Sequence, residues 1–285
     1  MRKRVGLLYH PLVPASQRMA EELVALVEEC GYEAWVESAW AREQIVERAD
    51  HCGLLVTFGG DGTILRVVRA SVGAFADGQR GTPLLLTVNY GTLGFLSELS
   101  PEQAASGLRR VLFEGEYWIE ERNLLRAVLL RDGERIAEQE ALNDVVLARG
   151  DGPHAIRLAL FVDDAEIGRY TADAMIVASP TGSTAYAQGA GGPVLGPDVA
   201  GLVVVPVAPH FAFARSFVIP SSSHVMLQAS TRKTTVVTID GQINLVYEDG
   251  DQLHVSQSDS VARFIRMGPK NYFYASFREK LRQVL

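Results

Sequence analysis

The sequence predicts two domains of different class: an N-terminal α/β domain built on a Rossmann-like parallel sheet, and a C-terminal, β-sandwich-like domain. Three observations predict this. In the first part of the chain, apolar strand patterns alternate with amphipathic helix patterns, which favours a parallel sheet covered by helices. From about Tyr117 onward, strand patterns follow one another without helical periodicity. The 285 residues are 47% hydrophobic, which is enough for two cores.

The elements of the first domain follow from the spacing of apolar residues. Residues 5–9 form an apolar run that predicts a strand, and residues 16–29 place apolar side chains on one helical face. Gly31 stands just after this helix, where a left-handed residue commonly ends one. The remaining predicted elements are a strand at 33–37, a helix at 42–49, a strand at 54–58, a helical run at 64–70 and a strand at 83–88.

The second domain is predicted from short apolar runs bounded by turn residues. Asp132-Gly133 is a hairpin signal between two such runs, and the side chains of 156–162 alternate as in a half-buried strand. Strands are expected at 124–130, 135–140, 145–148, 156–162, 174–178, 202–207, 224–229, 234–239, 253–256 and 261–267. A short helix is expected within 272–285. We therefore expect domains at 1–116 and 117–267, and a C-terminal tail at 268–285.

The composition limits the classes of partner. The formal net charge is −7 and the only basic run is Arg2-Lys3-Arg4, so we expect no nucleic-acid partner. No apolar stretch approaches the ~20 residues that span a bilayer, and no signal-peptide core is found, so we expect a cytoplasmic protein without a membrane partner. The cysteines Cys30 and Cys52 and the scattered histidines lack metal-binding spacing, which predicts no structural metal site.

The most informative stretch is a glycine-rich turn at residues 58–63, FGGDGT, between the strand at 54–58 and the following helical run. Gly59, Gly60 and Gly62 allow backbone N–H groups to approach phosphate oxygens, and the helix start favours negative charge. Asp61 adds a carboxylate, which suits a metal ion or a hydroxyl proton awaiting transfer. Taken alone, the turn also fits an aspartate that only favours the turn backbone.

Four further segments narrow the interpretation: 89–96 (NYGTLGFL), 142–147 (LNDVVL), 179–186 (SPTGSTAY) and 239–242 (IDGQ). Together with the glycine turn, and in this order, they resemble the NAD kinases, which phosphorylate the 2′-hydroxyl of the adenosine ribose of NAD. The resemblance runs from about Val5 to the last strands. It implies NAD as substrate, ATP or inorganic polyphosphate as phosphoryl donor, and Mg²⁺ with ATP. It also implies a homo-oligomer, dimer or tetramer, and a tail that packs back on the first domain.

The resemblance also assigns residues in the first domain. Asp61 matches the catalytic aspartate, which accepts the 2′-hydroxyl proton or orients that hydroxyl. Gly59, Gly60, Gly62 and Thr63 fall along the path of the phosphates. Arg66 lies one helical turn beyond the glycines, where it contacts a phosphate or is simply a solvated helix arginine.

In the second domain the resemblance implies contacts with NAD. Asn143 and Asp144 match a pair that holds ribose hydroxyls, since a carboxylate accepts from both; without the resemblance they would equally suit a turn. His154 is a further implied contact, which also suits a structural role. The resemblance implies contacts with the adenine side of NAD, and one contact late in the sequence, at these residues: Thr184, Ala185, Tyr186, Gly189 and Gln242.

Two implied positions concern the nicotinamide end of NAD. Asp173 matches an aspartate on that side of the substrate. Thr171 stands where many bacterial members carry arginine, so the acceptance of NADH is left open.

Two other classes of protein remain as alternatives to an NAD kinase. A lipid kinase of the diacylglycerol or sphingosine type shares the glycine turn and the two-domain plan, but does not usually combine the 142–147 and 179–186 segments. The second alternative is a non-catalytic nucleotide sensor, and the intact Asp61 argues against it. No Walker A element occurs, and no Gly-x-Gly-x-x-Gly pattern follows the first strand, which favours NAD as a substrate over NAD as a hydride carrier.

Overall fold

The computed structural model describes residues 3–49, 51–73, 82–91, 94–150, 154–210, 215–230 and 234–277. The chain divides into two compact units. Unit 1 consists of residues 1–122 and 260–285, and unit 2 consists of residues 123–259. These divisions lie several residues from the limits of 116/117 and 267/268 that the sequence suggests.

Unit 1 contains a parallel sheet. Its strands are β1 (Arg4–Tyr9), β2 (Glu33–Ser38), β3 (Leu54–Gly59) and β4 (Leu84–Asn89), in the order β2-β1-β3-β4. β3 and β4 pair in register from Leu54 to Gly59, so their carboxyl ends lie side by side. The predicted parallel-sheet class of the N-terminal part is confirmed.

Three helices follow the strands as the sequence predicts: α1 (Pro14–Glu29), α2 (Arg42–Ala49) and α3 (Asp61–Gly73). A fourth, α4 (Ala104–Arg109), was not predicted. The apolar face of α1 buries Ala20, Leu23 and Val27 in one core with Val5 and Leu7 of β1. Gly31 has a φ of 79°, a left-handed conformation in which glycine has no steric penalty, and it ends the helix as predicted.

Unit 2 is an all-β unit. A hairpin joins β5 (Trp118–Arg131), whose first five residues belong to unit 1, to β6 (Glu134–Ala141), and Asp132 and Gly133 have the positive φ values of the predicted turn. The later strands are β7 (Asp144–Arg149), β8 (Ile156–Val162), β9 (Ala165–Ala172), β10 (Ala174–Ala178), β11 (Gly201–Val207), β12 (Phe217–Pro220), β13 (Val225–Ser230), β14 (Thr235–Ile239), β15 (Ile243–Tyr247) and β16 (Gln252–Arg266). The end of β16, from Ser260 onward, belongs to unit 1, where it pairs with β4.

Two antiparallel layers form the core of unit 2. One is a six-stranded sheet of order β12-β11-β10-β7-β14-β15, and the other contains β13, β8 and β9 beside the first half of β16. Leu147, Val204 and Val237 of the first layer share a buried cluster with Leu158 and Leu227 of the second. The predicted all-β class of the C-terminal part is confirmed.

Several strands differ from the sequence prediction. β9, β12 and β15 were not predicted, and all three are the last strands of their sheets. β12 (FVIP) and β15 (INLVY) are apolar but only four and five residues long, and β9 (AEIGRYTA) mixes polar with apolar residues, so none of the three gives a strong strand pattern. The strands expected at 253–256 and 261–267 are one strand, β16, because pairing continues through its polar middle.

The segments near the expected site also show more helix than predicted. Residues 179–189, read as a loop, contain a 3₁₀ turn at Gly182–Thr184 and a short helix, α5 (Tyr186–Gly189). Residues 272–277 are helical, with Phe273 buried, and the rest of the predicted tail helix lies outside the described residues. Within the described ranges, no helix combines the length and the apolar content that crossing a bilayer requires.

Candidate active site

The glycine turn of unit 1 joins the end of β3 to the start of α3. The Gly60 carbonyl accepts the first helical hydrogen bonds, from the N–H groups of Thr63 (2.9 Å) and Ile64 (3.2 Å). Asp61 is therefore the first residue of the helix, which begins before the helical run at 64–70 that the sequence predicts. This position places the carboxylate at the positive end of the helix dipole. Thr63 is buried against Gly59, where any added Cβ would collide with the threonine side chain.

The Asp61 carboxylate is fixed by a second loop, the one that follows β4. Its Oδ2 accepts the N–H of Phe95 (3.0 Å), and its Oδ1 lies 3.4 Å from the N–H of Leu96. A Cβ added to Gly94 would collide with the same carboxylate. Each carboxylate oxygen has further lone pairs, so these bonds orient Asp61 while leaving it able to accept from a substrate hydroxyl.

The two loops also contact each other through their backbones. The N–H of Tyr90 donates to the Gly59 carbonyl (3.1 Å), and a Cβ on Gly91 would lie only 3.3 Å from the Gly60 Cα. The Asn89 side chain accepts the Gly91 N–H at 3.0 Å. The structure thus brings the predicted 58–63 segment together with residues 89–91 and 94–96 at the carboxyl ends of neighbouring strands, where α/β sheets bind ligands.

Arg66 has an aromatic partner that the sequence did not indicate. Its guanidinium lies 4.6 Å from the centre of the Trp40 ring, a cation–π distance, and His10 packs edge-on against the same ring at 4.5 Å. The three residues come from α3 and from the ends of β1 and β2. A phosphate contact for Arg66 stays a prediction.

Unit 2 contains a cavity of about 330 Å³ beside β7 and β14. Four of the predicted NAD contacts line it: Asn143, Asp144, Ala185 and Tyr186. The sequence had not assigned the other lining residues, which are Val146, Ala148, Thr238, Asp240 and Gly241. The segments 142–147, 179–186 and 239–242 therefore meet around one space within unit 2.

Asp240 holds the Asn143-Asp144 segment in place. Its carboxylate accepts the N–H groups of Leu142 (3.1 Å), Asn143 (2.8 Å) and Asp144 (3.2 Å). The backbone of Asp240 has a positive φ of 50°, which aspartate tolerates better than most residues. Asp240 belongs to the 239–242 segment, but the local sequence assigns it no role because its partners are almost a hundred residues away.

The 179–182 segment packs against the backbone of Asn143. The N–H of Ser179 donates to the Asn143 carbonyl at 2.9 Å. A Cβ on Gly182 would collide with the backbone of Asn143. The close approach of the two backbones explains why glycine stands in the Gly182-Ser-Thr-Ala-Tyr run.

Asp144 is a buried carboxyl group beside another carboxylate. Only 5% of its surface is exposed. Burial raises the pKa of Asp144, and the nearby Asp240 raises it further, to about 7. Near neutral pH the group therefore exchanges a proton readily, while the carboxylate form accepts hydrogen bonds from hydroxyl groups.

The remaining predicted contacts do not line this cavity. The Thr184 hydroxyl donates to the Thr181 carbonyl (3.1 Å), and the Gln242 N–H donates to the Ile239 carbonyl (2.9 Å). Gly189 ends α5. Both ring nitrogens of His154 are buried and have no hydrogen-bond partner among the described residues.

The two nicotinamide-side positions lie elsewhere in unit 2. Asp173, which stands between β9 and β10 in the sequence, forms an ion pair with Arg149 at the end of β7 (3.0 Å). Thr171 lies on β9 opposite Arg157 of β8, and both line a different cavity of about 480 Å³ together with Arg169. The roles of Thr171 and Asp173 stay predictions.

An oriented carboxylate at a glycine turn and a cavity lined by polar groups are the features expected of a phosphotransferase that acts on a hydroxyl group. Residues 12–117 match the ATP-NAD kinase N-terminal domain, and residues 142–267 match the ATP-NAD kinase C-terminal domain. The chain is 40% identical to an NAD kinase of Dehalococcoides mccartyi over 99% of this chain and 97% of that one. It is 36% identical to an NAD kinase of Chloroflexus aurantiacus over 99% of this chain and 100% of that one.

Solved structures agree with these relatives. Yeast NADH kinase complexed with NADH has a TM-score of 0.84 and 26% identity, covering 98% of this chain and 87% of that chain. An NAD kinase from Archaeoglobus fulgidus in complex with ATP has a TM-score of 0.76 and 24% identity, covering 96% and 97%, which shows the same fold. The chain belongs to the NAD kinase family, as its motifs predict. These comparisons do not support the lipid-kinase alternative.

The close approach of Gly94 to Asp61 generates a first prediction. In Gly94→Ala the added Cβ displaces the Asp61 carboxylate or the Phe95 N–H that holds it. We expect kcat to fall about 10–100-fold, since displacements near 1 Å in a catalytic group have effects of this order. Steady-state kinetics with NAD and ATP measure it. Gly168→Ala, whose Cβ would lie 3.8 Å from the Tyr170 ring, is the matched control. Wild-type kcat in Gly94→Ala would contradict the assigned contact.

The raised pKa of Asp144 generates a second prediction, on stability without ligand. The folded-state pKa of about 7 exceeds the unfolded value, so this group makes wild-type stability fall as pH rises from ~4 to ~7. Asp144→Asn removes this ionisation and should be more stable than wild type at pH 8, by on the order of a few kcal/mol, with a smaller difference at pH 5.

Thermal unfolding at both pH values, with the exposed Asp198→Asn as control, measures this effect. A stability difference that does not change between pH 5 and pH 8 would show that Asp144 ionises as an ordinary carboxylate.

Proposed function

We propose that this chain transfers a phosphoryl group to the adenosine-ribose 2′-hydroxyl of NAD, and that Asp61 accepts the hydroxyl proton. The observation that carries this proposal is the fixed Asp61 carboxylate, which the N–H groups of Phe95 and Leu96 orient at the start of α3. Phosphoryl transfer depends mainly on positioning and charge neutralisation, so one oriented carboxylate is sufficient protein chemistry at the attacking hydroxyl.

The cavity of unit 2 is proposed to bind the adenosine part of NAD. Asn143 and Asp144 offer an amide and a carboxylate side by side, which suits the vicinal hydroxyls of a ribose. Tyr186 is 49% exposed beside them and offers a ring face on which adenine can stack. Thr184, Gly189, Gln242 and His154 are proposed as outer contacts, on the basis of the family resemblance.

ATP is the proposed donor, with inorganic polyphosphate as the alternative. The family descriptions name ATP, and the Archaeoglobus fulgidus relative was solved with ATP. The open space at Gly60, where an added Cβ would meet nothing closer than 3.8 Å, allows a phosphate to approach the backbone. Arg66 is proposed as a further phosphate contact.

Mg²⁺ is proposed to enter with the donor. Magnesium in such enzymes usually binds one or two carboxylates together with substrate phosphates, instead of a cage of protein ligands. The described residues contain no group of three His, Cys, Asp or Glu side chains arranged around a metal position, and a lone Asp61 beside the glycine turn fits the first pattern. When bound, the ion neutralises charge on the phosphates. A homo-oligomer is also proposed, from the family resemblance.

The catalytic assignment is tested by Asp61→Asn, which preserves size and removes the charge. We expect kcat to fall by on the order of 10²-fold or more, because positioned general bases contribute ~10²–10⁴. NAD affinity, measured by calorimetry, should change much less, because the proposed ribose contacts are in unit 2. Turnover of Asp61→Asn at the wild-type rate would exclude Asp61 as the base.

Thr171 is proposed to permit NADH as a second substrate. The nicotinamide ring of NAD is positive and that of NADH is neutral, and a threonine hydroxyl is nearly indifferent to this difference. The NADH kinase of yeast, a structural relative, was solved with NADH. We expect phosphorylation of both forms, with a preference below ~100-fold, because one charge contact is worth ~1–3 kcal/mol.

The measurement is kcat/KM for NAD and NADH in wild type and in Thr171→Arg, which should change the ratio. Arg157→Gln is the companion variant, because Arg157 lies opposite Thr171 and lines the same cavity, so its loss measures what a neighbouring arginine contributes to the ratio. An inactive wild type with NADH, or a ratio that Thr171→Arg leaves unchanged, would refute this role.

A further inference from the structure

Arg266, the last residue of β16, is a fully buried cation in unit 1, with 0% of its side chain exposed. Its Nε donates to Glu120 (2.8 Å), and its Nη1 donates to Glu98 (3.3 Å). The guanidinium also lies over the Tyr272 ring, 4.5 Å from its centre. A buried charge needs such partners, since an isolated one would be very unfavourable.

A second arginine and a tyrosine complete this ion network. Arg122 lies 3.0 Å from the Glu120 carboxylate and is itself almost fully buried. The Tyr272 hydroxyl donates to the same carboxylate and accepts from Arg122 at 2.6 Å. Burial acts to raise the pKa of Glu120, but Arg266 and Arg122 together hold the pKa of that carboxyl below its ordinary value. The network therefore stays ionised.

The network reaches Asp61 through one residue, Leu96. The Leu96 carbonyl accepts hydrogen bonds from Arg266 Nη1 (3.1 Å) and from the Thr87 hydroxyl (2.9 Å). The Leu96 N–H is the group that faces Asp61 Oδ1 at 3.4 Å. Leu96 is thus held at both of its backbone groups, by the network at its carbonyl and by Asp61 at its N–H.

The same cation also anchors the chain just beyond Leu96. Glu98, which pairs with Arg266, uses its other oxygen to accept the N–H groups of Met267 (2.7 Å) and Gly268 (3.0 Å). The segment 94–98 is therefore tied to the end of β16 at two points. Its freedom to shift relative to Asp61 is correspondingly small.

We propose that Arg266 is a positioning residue for phosphoryl transfer, which fixes Leu96 so that the N–H groups of Phe95 and Leu96 hold Asp61 in its reactive orientation. This role rests on the proposed catalytic function of Asp61. A buried ion network of this kind is weak evidence for a gain in stability, because well-packed apolar residues often stabilise as well or better. What the charged network adds is a directed hydrogen bond to one particular carbonyl.

The experiment compares Arg266→Met, Arg266→Lys and Thr87→Val with wild type, at a temperature where circular dichroism shows each variant folded. We expect Arg266→Met to lower kcat about 10–100-fold while the Kd for NAD, measured by calorimetry, changes less than about threefold. Arg266→Lys should recover part of kcat, because an ammonium group still donates to a carbonyl. Thr87→Val removes only the second bond to Leu96, so a fall of about 3–10-fold in kcat is expected.

Thr82→Val is the matched control. It removes a buried hydroxyl bond of unit 1, from Thr82 to the Val261 carbonyl (2.9 Å), that touches neither the ion network nor the segment 94–98. We expect a lower Tm with kcat close to that of wild type. If Thr82→Val lowers kcat as much as Arg266→Met does, Arg266 acts only through the stability of the unit and the proposal is wrong.

A double-mutant cycle with Asp61→Asn shows whether Arg266 acts through Asp61. In the Asp61→Asn background, Arg266→Met should lower the residual kcat by less than about threefold, because the group that it positions is already inactive. Equal effects in both backgrounds would overturn the positioning role.

The single variants distinguish the two proposals. If Asp61→Asn alone has wild-type kcat, the proposed catalytic function fails. If Arg266→Met and Thr87→Val have wild-type kcat while Asp61→Asn does not, the positioning role fails and the catalytic function is retained. If Arg266→Met does not fold, Arg266→Lys and Thr87→Val decide the outcome.

Discussion

The hydrogen bonds between the Asp61 carboxylate and the backbone after β4 are the interaction on which the proposed chemistry of unit 1 depends. They require β3 and β4 to be adjacent and parallel, so that the loops after both strands emerge at one edge. They also require Asp61 to begin α3, and Gly94 to lack a side chain. A single carboxylate orientation therefore constrains two strands, one helix start and one loop.

Glycine serves two different purposes around this carboxylate. At Gly59 and Gly94 an added Cβ would collide with Thr63 and with Asp61, so glycine there permits the chain to approach itself. At Gly60 the nearest neighbour of an added Cβ would be 3.8 Å away, which leaves room for a ligand. A glycine-rich turn is commonly interpreted as a phosphate cradle. Here part of its glycine content is explained by packing alone.

Unit 2 also contains a carboxylate that accepts backbone N–H groups from a loop. Asp240 accepts three backbone N–H groups from the loop that carries Asn143 and Asp144, as Asp61 accepts two from the loop after β4. In unit 2 the Asp240 carboxylate is the fixed support, and its neighbour Asp144 is the group that is proposed to contact the ligand. The proximity of the two carboxylates is part of why the pKa of Asp144 is raised to about 7.

The sequence predicts the central strands and the motifs, but not the contacts that orient them. β3 and β4 are continuous apolar runs, and the segments around Asp61 and Asn143 are local patterns, so both are visible in one stretch of chain. The edge strands β12 and β15 are apolar runs of only four and five residues, and β9 mixes polar with apolar residues, so none of them is evident from the local pattern. The supports for the site were not predictable for another reason: Asp240 acts on residues 96–98 positions away, and Arg266 acts on Leu96 at a separation of 170 positions. No local pattern records such a pairing, so the residues that set the geometry of a site become evident only once the chain is folded.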